Sequence, residues 1–361
     1  MFSRGPGPWK SLLPKARNRV WEGHNRKALT RLSAGIQEKI DSGDLPLRAA
    51  VFARLYLSMI HWRLTGEFNT PAKNVTEARL QFWETEHHCP VLGYQKILVD
   101  HFAERFPNNP GFRRHRVVFN AMPDDAAHVR EDRSEDVCTI LTPGADKTIF
   151  GFSGLGNNCL GIGWTMFYRA AAQPANANLV ILKDPYRKLY LNGLGSMGDR
   201  DATINALRKL VQKHARNTEV LFVGGSGGTF GALHIAPLIT EVKRVVALSG
   251  PTSLEIGGEN EDKQVYDKIW KEINENSLPY VDIVKLVKDS HLQRIDFFVA
   301  GRNEFDKAQM THLHEGVDIL VPHLYDTAHH SVTDLCIEDR RLIKVLMGEA
   351  LPAKQLQGSA A

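Results

Sequence analysis

The stretch Glu219-Val-Leu-Phe-Val-Gly-Gly-Ser-Gly-Gly-Thr-Phe-Gly231 limits what this chain can fold into more than any other. An apolar, β-branched run ends in Gly224-Gly225-Ser226-Gly227-Gly228 and passes directly into a segment of helical character. A strand that turns straight into a helix brings the two elements within touching distance. Side chains two before and two after the turning residue would collide, and glycine removes them. The pattern is the G-x-S-x-G of a nucleophile elbow, in which the serine hydroxyl stands above the sheet edge and the next N–H faces the same space. The same glycines admit a second reading. Gly225-x-x-Gly228-x-x-Gly231 after a strand also fits a dinucleotide-binding turn at a helix N-terminus. That turn needs an acidic residue at the end of the next strand, whereas Arg244-Val-Val-Ala-Leu-Ser-Gly250 runs into proline. A purely structural glycine-rich turn is the third reading.

The chain has 361 residues, room for one α/β domain of roughly 230–250 residues and a smaller companion. A net charge of +4 is too slight to imply nucleic acid as a partner. Positive charge does gather between Arg4 and Arg31, opposed only by Glu22; this reads as a solvated helix face or as a surface for an anionic membrane or partner. Cys89, Cys138, Cys159 and Cys336 are scattered without a C-x-x-C pair or zinc spacing, so neither metal nor other cofactor is expected and the thiols read as reduced. No apolar core follows the basic N-terminal residues and no run reaches membrane-spanning length, so a cytoplasmic chain without a transmembrane segment is expected.

Residues 1–112 read as a helical domain. Apolar residues recur at helical spacing through Leu29, Leu32, Ile36 and Ile40, then through Phe52, Leu55, Ile60 and Leu64. Two further segments, Thr76–Glu86 and Val91–Phe106, close on Pro107-Asn-Asn-Pro110. This ending weakly resembles a tetratricopeptide-type hairpin. Residues 113–350 change period. Strands are expected at Arg116–Asn120, Asp136–Leu141, Lys147–Phe152, Asn178–Lys183, Glu219–Val223, Arg244–Leu248, Arg294–Val299 and Val317–Val321. From the third strand onward, helical segments alternate with them. The expected fold is therefore α/β: a mostly parallel eight-stranded sheet, opened by an antiparallel hairpin and covered by helices on both faces. Residues 252–292 form a lid-like insertion, and 351–361 a disordered tail.

This order of motifs resembles the α/β-hydrolase superfamily over about Arg114 to Met347. The resemblance implies a serine hydrolase whose nucleophile, acid and histidine follow successive strand ends in that order. Ser226 matches the nucleophile. Ala300-Gly-Arg-Asn-Glu-Phe-Asp306 stands where the family carries its acid, which leaves Glu304 and Asp306 as candidates, with Asp306 preferred. Tyr325-Asp-Thr-Ala-His-His-Ser-Val332 stands where it carries its histidine; His330 is preferred, with His329 the alternative. The chemistry needs these types, because a serine hydroxyl requires a base as it attacks and a carboxylate fixes the imidazole tautomer. The oxyanion hole is expected from the backbone N–H groups of Gly227 and of Leu155, in Phe152-Ser-Gly-Leu-Gly-Asn-Asn158. Lys183-Asp-Pro-Tyr-Arg-Lys-Leu-Tyr-Leu-Asn-Gly193 resembles a bacterial hydrolase subgroup linked to surface-glycan or secretion functions. A loop in which Asp184 and Asn192 merely satisfy backbone groups is the alternative.

The implied substrate is a small-molecule or glycan carboxylic ester, cleaved through an acyl-serine. An acyltransferase using the same residues, and a non-catalytic adaptor whose helical domain docks a protein partner, are the competing functions.

Overall fold

The computed structural model describes residues 26–354 together with Ala16 and Val20, except residues 44, 70–71, 127, 130–134 and 257–260. The basic stretch before residue 26 therefore lies almost wholly outside the described residues, as do 355–361. The chain divides into two compact units, one comprising residues 1–120 with 124–128, the other 121–123 with 129–361.

The first unit is helical: α1 (Arg26–Asp41), α2 (Leu47–Thr65), α3 (Val75–His88), α4 (Leu92–Arg105) and α5 (Pro110–Ala121). From α1 to α4, each helix packs on the next. The expected strand at Arg116–Asn120 is instead the second half of α5. Asn109 accepts hydrogen bonds from the N–H groups of Gly111 (3.1 Å) and Phe112 (3.3 Å), and Pro110 opens the helix at a position where its missing N–H costs nothing. Phe112, His115 and Phe119 then fall on one face and surround Phe82, with the His115 ring stacked at 4.3 Å. Packing on α3 overrides the β-branched preference of Val117-Val118. The helical unit consequently runs past the expected boundary at residue 112.

The second unit carries β1 (Val137–Ile140), β2 (Lys147–Phe152), α6 (Trp164–Phe167, continued by one π-turn to Ala172), β3 (Ala177–Leu182), α7 (Arg200–Ala215), β4 (Glu219–Gly225) and α8 (Gly227–Ile235). There follow β5 (Arg244–Leu248), α9 (Glu261–Asn274), α10 (Ile283–Lys288), β6 (Arg294–Ala300), α11 (Glu304–Gly316), β7 (Leu320–Tyr325), α12 (Thr333–Glu338) and α13 (Arg341–Met347). The sheet order is β1-β3-β2-β4-β5-β6-β7. Only β1 runs antiparallel, and it pairs with β3 rather than in a hairpin with its sequence neighbour. Every residue of β2 and β3 is buried, as continuous apolar strands in a doubly covered parallel sheet require. This is the α/β-hydrolase arrangement, with seven strands in place of eight.

Two further boundaries differ from expectation. The last strand begins at Leu320 rather than Val317 and continues through Pro322 to Tyr325. Proline is tolerated because β7 is the edge of the sheet. The expected disordered tail is ordered at its start: the Lys354 N–H donates to the Pro322 carbonyl (3.0 Å), and the Leu324 N–H donates to that of Lys354 (2.8 Å). These bonds occupy backbone groups on the outer side of β7.

A buried ion cluster joins β6 to β7. Arg294 holds Asp296 through two hydrogen bonds of 2.7 and 2.8 Å, and His323 Nε2 donates to the same carboxylate at 2.8 Å. Arg341 donates to His323 Nδ1 (3.2 Å), which leaves the ring proton on Nε2. Burial pushes the Asp296 carboxyl up, but His323 and Arg294 outweigh it and hold it below the ordinary carboxylate range. Asp296→Ala leaves the buried His323 Nε2–H without its acceptor, while Arg294 keeps the Leu351 carbonyl, and should cost about 1–3 kcal/mol in urea unfolding at neutral pH. A depressed pKa contributes stability above the ordinary carboxylate value, near 3.9, and loses it as pH falls through the depressed one. The gap between wild type and variant should therefore close only under strongly acidic conditions.

Candidate active site

The elbow residues do what their types require. A Cβ on Gly224 would stand 2.3 Å from the Gly228 carbonyl oxygen, and one on Gly228 would stand 2.0 Å from that of Phe152. Strand β4, helix α8 and the end of β2 thus meet at distances only glycine permits. Between them, Ser226 takes φ 54° and ψ −126°, a conformation costly for any side-chain-bearing residue. Its N–H donates to the Leu248 carbonyl at 3.0 Å. The dinucleotide reading needs glycines that leave room for a pyrophosphate. Here the missing side chains of Gly225, Gly228 and Gly231 are replaced by Leu160, the Phe152 backbone and the Tyr190 ring, so the protein itself fills that room.

Two strand ends deliver the other two groups. The loop after β6 places Asn303 as the cap of α11, its side chain accepting from the Asp306 N–H at 3.1 Å. Asp306 lies in the first turn of that helix, fully buried, where the macrodipole favours a carboxylate. The loop after β7 is tied to the β6 loop by Arg302 N–H to Thr327 O (3.0 Å) and by the Asn303 amide to Ala328 O (3.3 Å). It is tied to the loop after β2 by the Ser331 hydroxyl, which donates to Leu160 O at 2.6 Å. These ties aim the half-buried His330 at both neighbours: Nδ1 lies 2.8 Å from Asp306 Oδ1, and Nε2 lies 3.0 Å from Ser226 Oγ. Of the alternatives weighed, Glu304 and His329 are solvent-exposed, and neither has a bond to this line. The structure brings together Ser226, His330 and Asp306.

The loop after β2 lies beside the elbow. The Gly154 N–H donates to Asn158 O (3.1 Å) and the Asn157 N–H to Gly154 O (2.9 Å), a tight turn with Leu155 at its corner. A Cβ on Gly154 would lie 3.2 Å from Ser226 Cβ, and one on Gly227 would lie 3.3 Å from Leu155 Cγ. Gly227 opens α8, so its N–H has no carbonyl within the helix to bond. Ser153 accepts the Trp164 indole N–H at 2.7 Å, which anchors the loop from below.

Asp184 is buried and accepts from the N–H groups of Tyr186, Lys188 and Tyr190 at 3.0, 2.7 and 2.9 Å. Burial raises its pKa, and those backbone donors only partly restore the charged form. It organises a loop in which Arg187, Leu189 and Tyr190 all have positive φ. Leu189 and Tyr190 of that loop pack against Gly227 and Gly231 of the elbow helix. Asp184 thus satisfies backbone groups, while Asn192 is exposed.

One residue at the site has no counterpart in the sequence reading. Tyr266, from helix α9 of the 252–292 insertion, is 4% exposed and places its hydroxyl 3.2 Å from Ser226 Oγ. Its ring stacks on Phe305, the neighbour of Asp306, at 5.6 Å and 8°. Tyr266, Ile269 and Ile273 recur at helical spacing and are all buried, so in sequence the tyrosine is indistinguishable from core.

Among the described residues, no cluster of ligands could hold a metal ion, and no helix is long and apolar enough to cross a membrane. No protein-family model matches the chain, and no curated protein matches it in sequence. Among solved structures, the chain is similar to 2,6-dihydroxy-pseudo-oxynicotine hydrolase at 12% identity and TM-score 0.46, over 98% of this chain and 92% of that one. It is similar to the esterase LipW of Mycobacterium marinum at 13% identity and TM-score 0.41, over 70% and 90% of the two chains. The S-formylglutathione hydrolase of Agrobacterium tumefaciens gives 16% and 0.41, over 60% and 93%. At these values the likeness has no bearing on substrate or activity.

Proposed function

We propose that this protein is a serine hydrolase that cleaves a carboxylic ester through an acyl-serine on Ser226. The observation that carries the reading is the continuous hydrogen-bonded line from Ser226 Oγ through His330 to Asp306. His330 acts as base: it takes the Ser226 proton on Nε2 as Oγ attacks the ester carbonyl, then gives it to the departing alcohol. Asp306 fixes the tautomer and stabilises the imidazolium. The N–H groups of Gly227 and Leu155 receive the oxyanion, each such donor contributing about 3–4 kcal/mol to the transition state. Water then releases the acid by the same steps.

The finer reading of an acylated glycan as substrate rests on the resemblance of Lys183–Gly193 alone; the open groove of about 640 Å³ beside that segment has none of Ser226, His330 or Asp306 in its lining. An O-acetylated sugar should then be hydrolysed with higher kcat/KM than a plain acetate ester.

Mixing the protein with a short-chain p-nitrophenyl ester should release nitrophenolate in a burst of about one equivalent wherever deacylation limits turnover. The acyl mass should appear on the peptide containing Ser226. Turnover with the acyl group on another residue would refute the assignment.

A further inference from the structure

We infer that Tyr266 is a catalytic residue: its hydroxyl donates a hydrogen bond to Ser226 Oγ and accelerates departure of that oxygen when the acyl-serine is hydrolysed. The inference rests on the serine-hydrolase reading above.

Proton bookkeeping fixes the direction of the bond. Asp306 Oδ1 accepts from His330 Nδ1, so the neutral ring has no proton on Nε2, and Nε2 accepts from the Ser226 hydroxyl. The single hydrogen of Ser226 is thereby committed. The 3.2 Å contact with Tyr266 must run from the phenol to a serine lone pair. A hydroxyl oxygen has two lone pairs, so one receives the phenol while the other attacks the carbonyl. The stack on Phe305 holds the ring in place.

Only interactions stronger in the transition state than in the preceding ground state raise a rate. Before acylation the phenol is already bonded to a good acceptor, the serine hydroxyl, so formation of the acyl-serine gains little from it. In the acyl-serine, Oγ is an ester oxygen and a poor acceptor. During deacylation a water oxygen bonds to the acyl carbon as its proton passes to His330 Nε2. The acyl carbon–Oγ bond then breaks, its electron pair moves onto Oγ, and Oγ recovers the proton from Nε2. Negative charge grows on Oγ in that step, the Tyr266 bond strengthens with it, and the phenol keeps its own proton throughout. The benefit falls on deacylation.

Tyr266→Phe keeps the ring and removes the donor. With a p-nitrophenyl ester, the variant should lose about 10–100-fold in steady-state kcat, as expected for a hydrogen bond to a charged oxygen. The burst rate should stay within a few-fold of wild type, and intact-mass spectra should show acyl-enzyme accumulating during turnover. An unchanged thermal midpoint would confirm that the stack on Phe305 persists. Wild-type kcat with no accumulation would overturn the inference while leaving the hydrolase reading standing. So would equal slowing of burst and steady state, which marks general misplacement of Ser226. A rise in kcat would do the same, marking the phenol as an obstruction. Failure of the wild-type protein to form any acyl adduct would refute the hydrolase reading itself, and the inference with it.

Discussion

Replacing Ser226 with alanine is expected to lower ester turnover by about six orders of magnitude and to leave the protein folded. The loss is this large because a base and an oxyanion hole without a nucleophile retain only substrate binding and stabilisation of a water attack. The fold should survive because the neighbouring glycines, not the serine side chain, permit the close approach of β4, α8 and the end of β2. Alanine would adopt the same φ of 54° at no greater steric cost than serine. The change removes the hydrogen bonds of Oγ with His330 and Tyr266, and both partners lie at the site, within reach of the space the hydroxyl vacates. A thermal midpoint within a few degrees of wild type, beside undetectable turnover, is the expected pair of results. A variant that retained measurable acyl-enzyme chemistry would move the nucleophile elsewhere.

Asp306→Asn should cost about four orders of magnitude in kcat. The amide preserves the volume of a fully buried side chain, yet it can present an N–H where the carboxylate oxygen now accepts from His330 Nδ1. The ring then settles in the tautomer with its proton on Nε2, facing Ser226, and can no longer accept the serine proton. Glu304→Ala is the internal control: Glu304 stands two residues away in the same first helical turn, but it is exposed, so its loss should change kcat by less than a few-fold. Steady-state kinetics of the two variants on one ester separates them. Equal mild losses would remove the acid from the end of β6.

Much of the sheet was legible because buried parallel strands are locally self-declaring, as Leu179–Leu182 and Val245–Leu248 are in their continuous apolar character. The residues of the candidate site were legible for a different reason. Their chemistry must sit at strand ends, so Ser226, Asp306 and His330 each followed an apolar run. The choice between Asp306 and Glu304, or His330 and His329, depends on which way each side chain faces. That follows from ties between loops, such as Asn303 to Ala328 and Ser331 to Leu160, which join residues 25 or more positions apart. The segment Arg116–Asn120 is a helix against its local preference, because a run of β-branched and aromatic residues favours a strand and Phe82 decides the matter from another helix. Tyr266 was illegible because, 40 positions from the serine it touches, its spacing matches the buried face of its own helix.

The central claim is that Ser226 is a nucleophile activated by His330. Its most direct test is treatment of the intact protein with a fluorophosphonate, followed by peptide mapping. One phosphonyl group per chain should appear on Ser226, and the labelling rate should collapse in His330→Ala but not in His329→Ala. Labelling on another residue, or a wild-type protein that stays unlabelled by probes of varied size while it binds NAD(P)H or holds only a protein partner, would contradict the account.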